Sequence, residues 1–529
     1  MRRKILVRII LGIAAFVILI VLLTKVFVEP WIGKKIQASL SENTGAYLIK
    51  IEKVHVSILR SGVELENITL HSKTENDGQF SLNGEIKSVK FKGIHLLKAL
   101  FKKDYHVREV DIFNSRFIGK VALQKQEKKA GPAKVSPVNI RIENLFFDKF
   151  SVDLKDTATS QAFLVNDGIL KLYDIKVEKQ DTLSTDSFRQ FDFGAPEFKA
   201  ITADSLYTIS AECINYSAET KTLTADSFVV HPNYSEYEFT GRNQFQTNRF
   251  DAVLSGISFH NFSVPDYIKS RNITSSYIEI GDLEMQVFKD KRKEFKHVEK
   301  PTFQDMITNY PAAINIDSIA VLSGNIVYTE HAEKAIEKGS ISFSEMNARI
   351  YKITNDTIYK TEKAYLELKA NALLMGKGKV NLSLKARIFD NQNTFAVNGS
   401  LSGMEVSELN PILEKSASIT ITSGKINNMN FGFSANNTKA TGNMNLLYEG
   451  LKFDIMNKQT GETTAIKEQI KSLIANIIVL ESNPMPGEEV RPGIIEYERD
   501  PERFLFGYFF RSILSGMKTS VTKTKNLKK

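Results

Sequence analysis

Eight histidines and one cysteine are the side chains of this 529-residue sequence best suited to hold a metal or to act as nucleophiles. His55, His71, His95, His106, His231, His260, His297 and His331 are dispersed, with no His-x-His or His-x-x-x-His pair of the kind that grips a metal from one strand or one helix face. There is no Gly-x-Ser-x-Gly elbow, no phosphate-cradling glycine loop and no Cys-x-x-Cys pair. These residues argue against an enzyme and call for no cofactor and no metal. Cys213 stands alone, so no internal disulfide is available and stability must come from strand pairing and apolar burial. The net charge is +9, but the basic residues are spread along the chain without interleaved aromatics, which gives nucleic acid no footprint.

With no catalytic constellation to position, the elements themselves carry the information. From Tyr47 onward the apolar period is two. Val54, Val56 and Ile58 form one sawtooth, and Val63 and Leu65 begin another that continues, after a register shift suited to a β-bulge, at Ile68 and Leu70. A loose repeat follows, in which a branched apolar pair, a polar dipeptide and further alternating apolar positions recur from Val107, Ile140 and Ile314, with a related pair of segments from Ile201 and Leu223. Its irregular spacing excludes a strict solenoid. Ile314, Ile316, Leu366 and Leu368 belong to later sawtooth strands. The loop from Gly131 to Pro137 and the charged stretch ending at Pro301 are the candidate boundaries, with a short helix expected just after Pro301.

The N-terminus has a different period. Ile5 to Val28 is apolar apart from Arg8 and Lys25 near its ends, and at about 1.5 Å per residue it spans the roughly 30 Å hydrocarbon layer. Ile9, Leu11, Phe16 and Leu19 are expected to face lipid, and Trp31 to anchor at the interface. The basic flank of Arg2, Arg3, Lys4 and Arg8 keeps the N-terminus cytoplasmic and the body translocated. Residues 29–46 read as a short juxtamembrane amphipathic helix with Trp31, Ile32, Ile36 and Leu40 on one face, closed by Gly45.

Two helices are expected near the C-terminus. One covers Thr464 to Leu480. The other follows Asp500-Pro501 and carries Phe504, Phe506, Phe509, Phe510 and Leu514, ahead of a lysine-rich tail. Its aromatic residues either cap the open end of a sheet or meet a second membrane. The resulting division is 1–28 stub and anchor, 29–46 amphipathic helix, 47–300 and 301–460 β halves, and 461–529 helices and basic tail.

So many alternating strands with so few helices to cover them leave two architectures open. One is a string of β-sandwiches. The other is a single long antiparallel sheet curled into a trough whose apolar groove is occupied by acyl chains, with some thirty strands stacked over a length on the order of 140 Å. The order of parts at the N-terminus, a single anchor followed by PWIGKKIQASLSENTGAYLIKIEKVHVSIL, and the C-terminal motifs Ser402-Gly403, Leu409-Asn410-Pro411, Ala440-Thr441-Gly442 and Tyr448-Glu449-Gly450-Leu451 resemble the AsmA-like family of bacterial envelope proteins. Residues 150 to 300 share only the sawtooth. The resemblance implies a mainly β trough of the bridge-like lipid-transfer type, anchored in the inner membrane with its body in the periplasm. It would move phospholipid towards the outer membrane, with that membrane or other envelope proteins as further partners. The family lends no catalytic residues. The groove candidates are therefore the sawtooth positions Val54, Val56, Ile58, Val63, Leu65, Ile314, Ile316, Leu366 and Leu368. The rival reading is a non-catalytic structural or assembly scaffold with a dry interior.

Overall fold

The computed structural model describes residues 17–19, 21–42, 47–73, 81–94, 104–121, 139–157, 159–177, 188–360, 365–455 and 477–524. The chain is mainly β and divides into two units, residues 1–221 and 222–529.

In the first unit β1 (Tyr47–Ser57), β2 (Gly62–Ser72), β3 (Ser81–Lys92), β4 (Asp104–Val121), β5 (Asn139–Asp156), β6 (Ala162–Val177), β7 (Gln190–Ile201) and β8 (Tyr207–Ser217) pair in chain order. Every pairing is antiparallel except the parallel β4–β5 pair.

The second unit holds β9 (Thr222–Pro232), β10 (Asn248–His260), β11 (Ile273–Ser275), β12 (Tyr277–Asp290), β13 (Ile314–His331), β14 (Gly339–Thr354), β15 (Tyr365–Leu374), β16 (Gly378–Arg387), β17 (Phe395–Glu405), β18 (Ile419–Ala435) and β19 (Lys439–Ile455). β10 pairs with β9 and β12, and β13 runs parallel to both β11 and β12. The ladder from β13 to β19 is then an antiparallel meander. A short pair, β20 (Ile477–Val479) with β22 (Thr522–Thr524), stands apart from it, while β21 (Gly493–Glu498) adds to β19. Each unit is thus one open ladder rather than two packed sheets, which sets aside a string of sandwiches. Several strands reach 16 to 18 residues, so the described residues make twenty-two strands rather than about thirty of ordinary length.

The strands are creased. Ile51 pairs with Ile68 and Lys53 with Glu66, leaving a step at Glu52 and Asn67 where the inward phase flips from Ile49 and Ile51 to Val54 and Val56. Asn67 sits there at φ +50°, and its Nδ2 donates to Glu52 Oε2 at 2.6 Å. The same step recurs in register at Asn114 (φ +48°) in β4, Lys149 (+56°) in β5 and Cys213 (+50°) in β8. The second unit has a step of the same kind at Gly256 (+61°), between the pairs Ser255↔Asp282 and Ile257↔Ile280. A left-handed residue in a strand bends it and sharpens its twist. Aligned from strand to strand, these residues fold the sheet along a line that crosses the strands. The sequence repeat marks a second step in β5, at Glu143 opposite Asp174 (φ +55°) of β6: Ile140 and Ile142 lie on one side of it, Leu145 and Phe147 on the other.

Helix α1 (Glu29–Glu42) packs on β1, with Ile32 4% exposed and Gly33 against Val54. Trp31 does not share that face. It is 57% exposed, since consecutive helical residues point about 100° apart. The side chains of Ile36 and Leu40, and Gly45, lie outside the described residues. So do Ile9, Leu11 and Phe16 of the expected anchor. The described residues before α1 are helical, with a π-helical turn at Thr24–Val28, and Val17, Ile18, Leu19, Leu22, Val26 and Phe27 are more than half exposed. Among the described residues no helix is long and apolar enough to cross a membrane.

In the second unit the helices are α2 (Glu236–Gly241), α3 (Val264–Ser270), α4 (Phe303–Thr308), α5 (Asn410–Ala417) and α6 (Leu505–Val521). The charged stretch ending at Pro301, expected to separate two halves, lies inside this unit as a strap bonded at both ends. Gln246 Nε2 donates to the carbonyls of Lys291 and Lys293, while Arg499 donates to the carbonyl of Lys300. The expected helix at Thr464–Leu480 is corrected at its end, where the branched run Ile477–Val479 is a strand that takes the edge offered by Thr522–Thr524. Its residues up to 476 lie outside those described.

Candidate functional site

The cross-strand register gathers the inward side chains of the first unit into rows. Val54 faces Leu65, Leu65 faces Val89, and Val89 faces Ile112. The row continues through Phe147, Leu170 and Phe193 to Tyr216 in β8. Eight strands contribute eight apolar residues without a break, over about 34 Å at the usual strand spacing. A second row runs from Val56 through Val63, Phe91, Val110 and Leu145 to Leu172 and Phe191. Across the crease the pattern persists from Ile51 through Ile68 and Ile86 to Phe150, interrupted by Ser115, whose buried hydroxyl has no hydrogen-bond partner among the described residues.

The second unit repeats the arrangement. Leu223 faces Phe259, which faces Ile278, and the row proceeds through Ile319, Ile350 and Leu368 to Leu384 and Val397, ending on Phe433, Gly442 and Ile495. At Gly168 and Gly84 a phenylalanine ring of the register partner lies over the glycine. A Cβ on Gly168 would meet Phe150 Cζ at 2.6 Å, and one on Gly84 would meet Phe117 Cδ1 at 2.6 Å.

Burial grades along these rows. Phe147, Leu170, Phe193, Ile319 and Leu368 are half-buried, whereas Leu384, Val397, Phe433 and Ile495 are 4% exposed or less. The difference has a cause at the C-terminus. Helix α6 lays Tyr508, Ser512, Gly516 and Ser520, all buried and spaced by four, along the end of the sheet. Gly516 is needed for that approach, because a Cβ there would meet Ile495 Cγ1 at 2.7 Å. Phe509 packs on Phe395 at 5.0 Å between ring centroids. Burial pushes the Tyr508 phenol up to about 12, while its hydroxyl donates to the Asn436 carbonyl at 3.3 Å. The uncovered side of α6 presents large apolar residues beside Arg511 and Lys518: Phe506 is 68% exposed, Phe510 and Leu514 are also exposed, and so is Phe504 at its N-cap.

The other face of the sheet is polar. Lys90 pairs with Glu64 at 3.1 Å, Lys92 with Asp111 at 2.6 Å and Lys385 with Glu367 at 2.8 Å, each across neighbouring strands. The exposed pairs Lys90–Glu64 and Lys385–Glu367 contribute little stability, but they fix which face meets water. Hydrogen bonds to Asp111 and Glu109 hold the Lys92 ammonium above its ordinary pKa.

The sequence candidates fall as follows. Val56, Val63 and Leu65 are buried, and Val54 and Ile58 pack against them in one cluster. Leu366 and Leu368 belong to the cluster under α6. Ile316 is buried and Ile314 half-buried, both beyond a further step at Lys352 (φ +60°) and away from the long row, which uses Ile319. The residues not singled out from sequence are the half-buried ones in the middle, Phe147, Leu170 and Phe193 among them. Their signal is apolar spacing at i, i+2, i+5 and i+7, visible in the repeat. No group of three or more metal-ligating side chains occurs among the described residues. No family model and no curated protein matches this sequence.

Proposed function

We propose that this chain is a membrane-anchored envelope protein whose apolar sheet face shields phospholipid acyl chains as they pass between inner and outer membranes. One observation carries the reading: in each unit an apolar row crosses successive strands and includes half-buried members, while the opposite face is tiled with ion pairs. An uninterrupted apolar strip in water calls for an occupant, and the acyl chain is the long, featureless apolar group that such a strip fits best. The crease bends the sheet around that strip, which supports the trough-like architecture. The N-terminal segment supplies the inner-membrane anchor, with the N-terminus cytoplasmic and the body periplasmic. The exposed face of α6, followed by Lys518 and Lys523, provides the contact with the distal membrane. The resemblance to AsmA-like proteins implies the trough and the inner-membrane anchor as well.

One observation favours the scaffold reading instead: under α6 the row is closed over by the protein's own side chains. The two are separated by placing a photo-crosslinking residue, in the full-length protein in cells, at Leu170, Ile319 or Val397. Lipid shielding gives phospholipid adducts at Leu170 and Ile319 and none at Val397. Absence of lipid at all three positions would mean a dry interior and a scaffold.

A further inference from the structure

Phe288 and Lys289 are neighbours in β12 and point to opposite faces. Phe288 is 2% exposed and meets the Tyr237 ring of α2 at 5.4 Å. Lys289 is in phase with Met285 and Val287, which belong to the apolar face. It is half-buried, and its ammonium makes no hydrogen bond or ion pair among the described residues.

Three more cations act on it through their fields: Lys291, Lys300 and Arg503. Lys291 is bonded to Glu330. The Lys300 N–H donates to the Pro501 carbonyl at 2.8 Å, and its ammonium stands 5.3 Å from the Phe504 ring centroid. Arg503 lies over the Phe295 ring at 5.0 Å and donates to Asp500 at 2.9 Å. Burial, then the fields of Lys291 and Arg503, push the Lys289 ammonium below its ordinary pKa. Burial acts to raise the Glu330 carboxyl, but the Lys291 ammonium bonded to it prevails and holds it down as a carboxylate. Glu330, the register partner of Lys289 in β13, is engaged by Lys291, and Asp500 by Arg503, so among the described residues Lys289 and Lys300 have no ion pair of their own, and Lys289 lies on the apolar face. A desolvated charge without a partner is destabilising, so an apolar side chain would serve the fold better at this position.

We infer that Lys289, with Lys291, Lys300 and Arg503, binds a phosphate anion, the headgroup phosphodiester of a lipid whose acyl chains lie on Met285 and Val287. This rests on the acyl-shielding function proposed above. The strap between β12 and α6 is the device that brings Lys300 and Arg503 to β12.

The test uses the full-length protein in detergent, titrated with fluorescent phosphatidylglycerol and with diacylglycerol of the same chains, which lacks the phosphate. The wild type should bind phosphatidylglycerol about tenfold more tightly, the difference that charge-assisted hydrogen bonds supply. Lys289→Met should bring the two lipids to equal affinity, Lys289→Arg should restore the preference, and Lys289→Met should melt no lower than the wild type, showing that it folds. A preference retained in Lys289→Met overturns the inference. Displacement of phosphatidylglycerol by millimolar inorganic phosphate overturns the lipid assignment in favour of a free anion. Phospholipid adducts at Ile319 without any headgroup preference defeat this inference alone, whereas neither lipid binding nor adducts defeat the acyl-shielding function with it.

Discussion

Asn114 and Lys149 occupy the same step of the parallel β4–β5 pair, between Phe113↔Asp148 and Ser115↔Phe150, and both hold left-handed backbone, at φ +48° and +56°. Their alignment lets two parallel strands change phase together, so that Ile112 and Phe147 on one side and Ser115 and Phe150 on the other all face inward. Asparagine tolerates this conformation and lysine does so at a cost of roughly 1 kcal/mol. Lys149→Gly should therefore leave the fold unchanged and raise the urea midpoint slightly, the relief being partly offset by the freedom glycine gains on unfolding.

Asn67 predicts the opposite sign. Asn67→Val places a β-branched residue at φ +50° and removes the hydrogen bond to Glu52, so the unfolding free energy should fall by about 2 kcal/mol. A denaturant titration reads it directly. An unchanged midpoint would show that the crease relaxes when its asparagine is lost.

Continuity of the row is tested by a charge placed in its middle. Leu170→Glu interrupts the line between Phe147 and Phe193 at a half-buried position where the carboxylate can reach water, so the protein should fold with a loss of about 1–2 kcal/mol. Phospholipid crosslinking from neighbouring Phe193 should drop severalfold, while crosslinking from Ile319 in the other unit reports whether the effect spreads.

On α6 the two faces separate. Gly516→Val drives a side chain into Ile495 and Met444 and should destabilise the C-terminal end by about 1–3 kcal/mol through overpacking. Phe506→Ser with Phe510→Ser touches only the exposed face. The melting temperature should hold, and binding to anionic vesicles should be lost.

The pH dependence has a defined origin in Asp290. Hydrogen bonds from Arg292, Nε to Oδ1 and Nη2 to Oδ2 at 2.9 Å each, hold the buried carboxyl below its ordinary value of 3.8 against the opposing effect of burial. Because the folded pKa is depressed, the stabilisation is fully present above pH 3.8 and is lost as pH falls through the lower folded value. Asp290→Asn should cost about 2–3 kcal/mol at neutral pH, and the gap from wild type should close below pH 3.8 in acid unfolding curves.

Much of the ladder is legible in the sequence because the strand period is two and the repeat marks where phase changes: Ile140, Ile142, Leu145 and Phe147 already spell the step. The crease through Lys149 and Cys213 is a separate line and is not legible, since neither residue carries a turn preference and both owe their conformation to alignment with neighbouring strands. The strap from Lys291 to Lys300 reads as a linker because charge runs are usually solvated. Its partners Gln246 and Arg499 are remote in sequence, and nothing local announces them. Ile477–Val479 fits a helix or a strand by periodicity alone, and only the edge at Thr522–Thr524 decides between them.

The strict chain-order pairing from β13 to β19 makes the extent of that ladder a countable quantity. Excising β15 and β16 together would bring β14 against β17 with the polarity they already have, setting Ile350 opposite Val397 where Leu368 and Leu384 now intervene. Removing one strand alone would reverse every strand after it. Such a protein can be lengthened or shortened only in hairpin increments of about 10 Å, which makes its reach a heritable dimension, adjustable without redesigning either end.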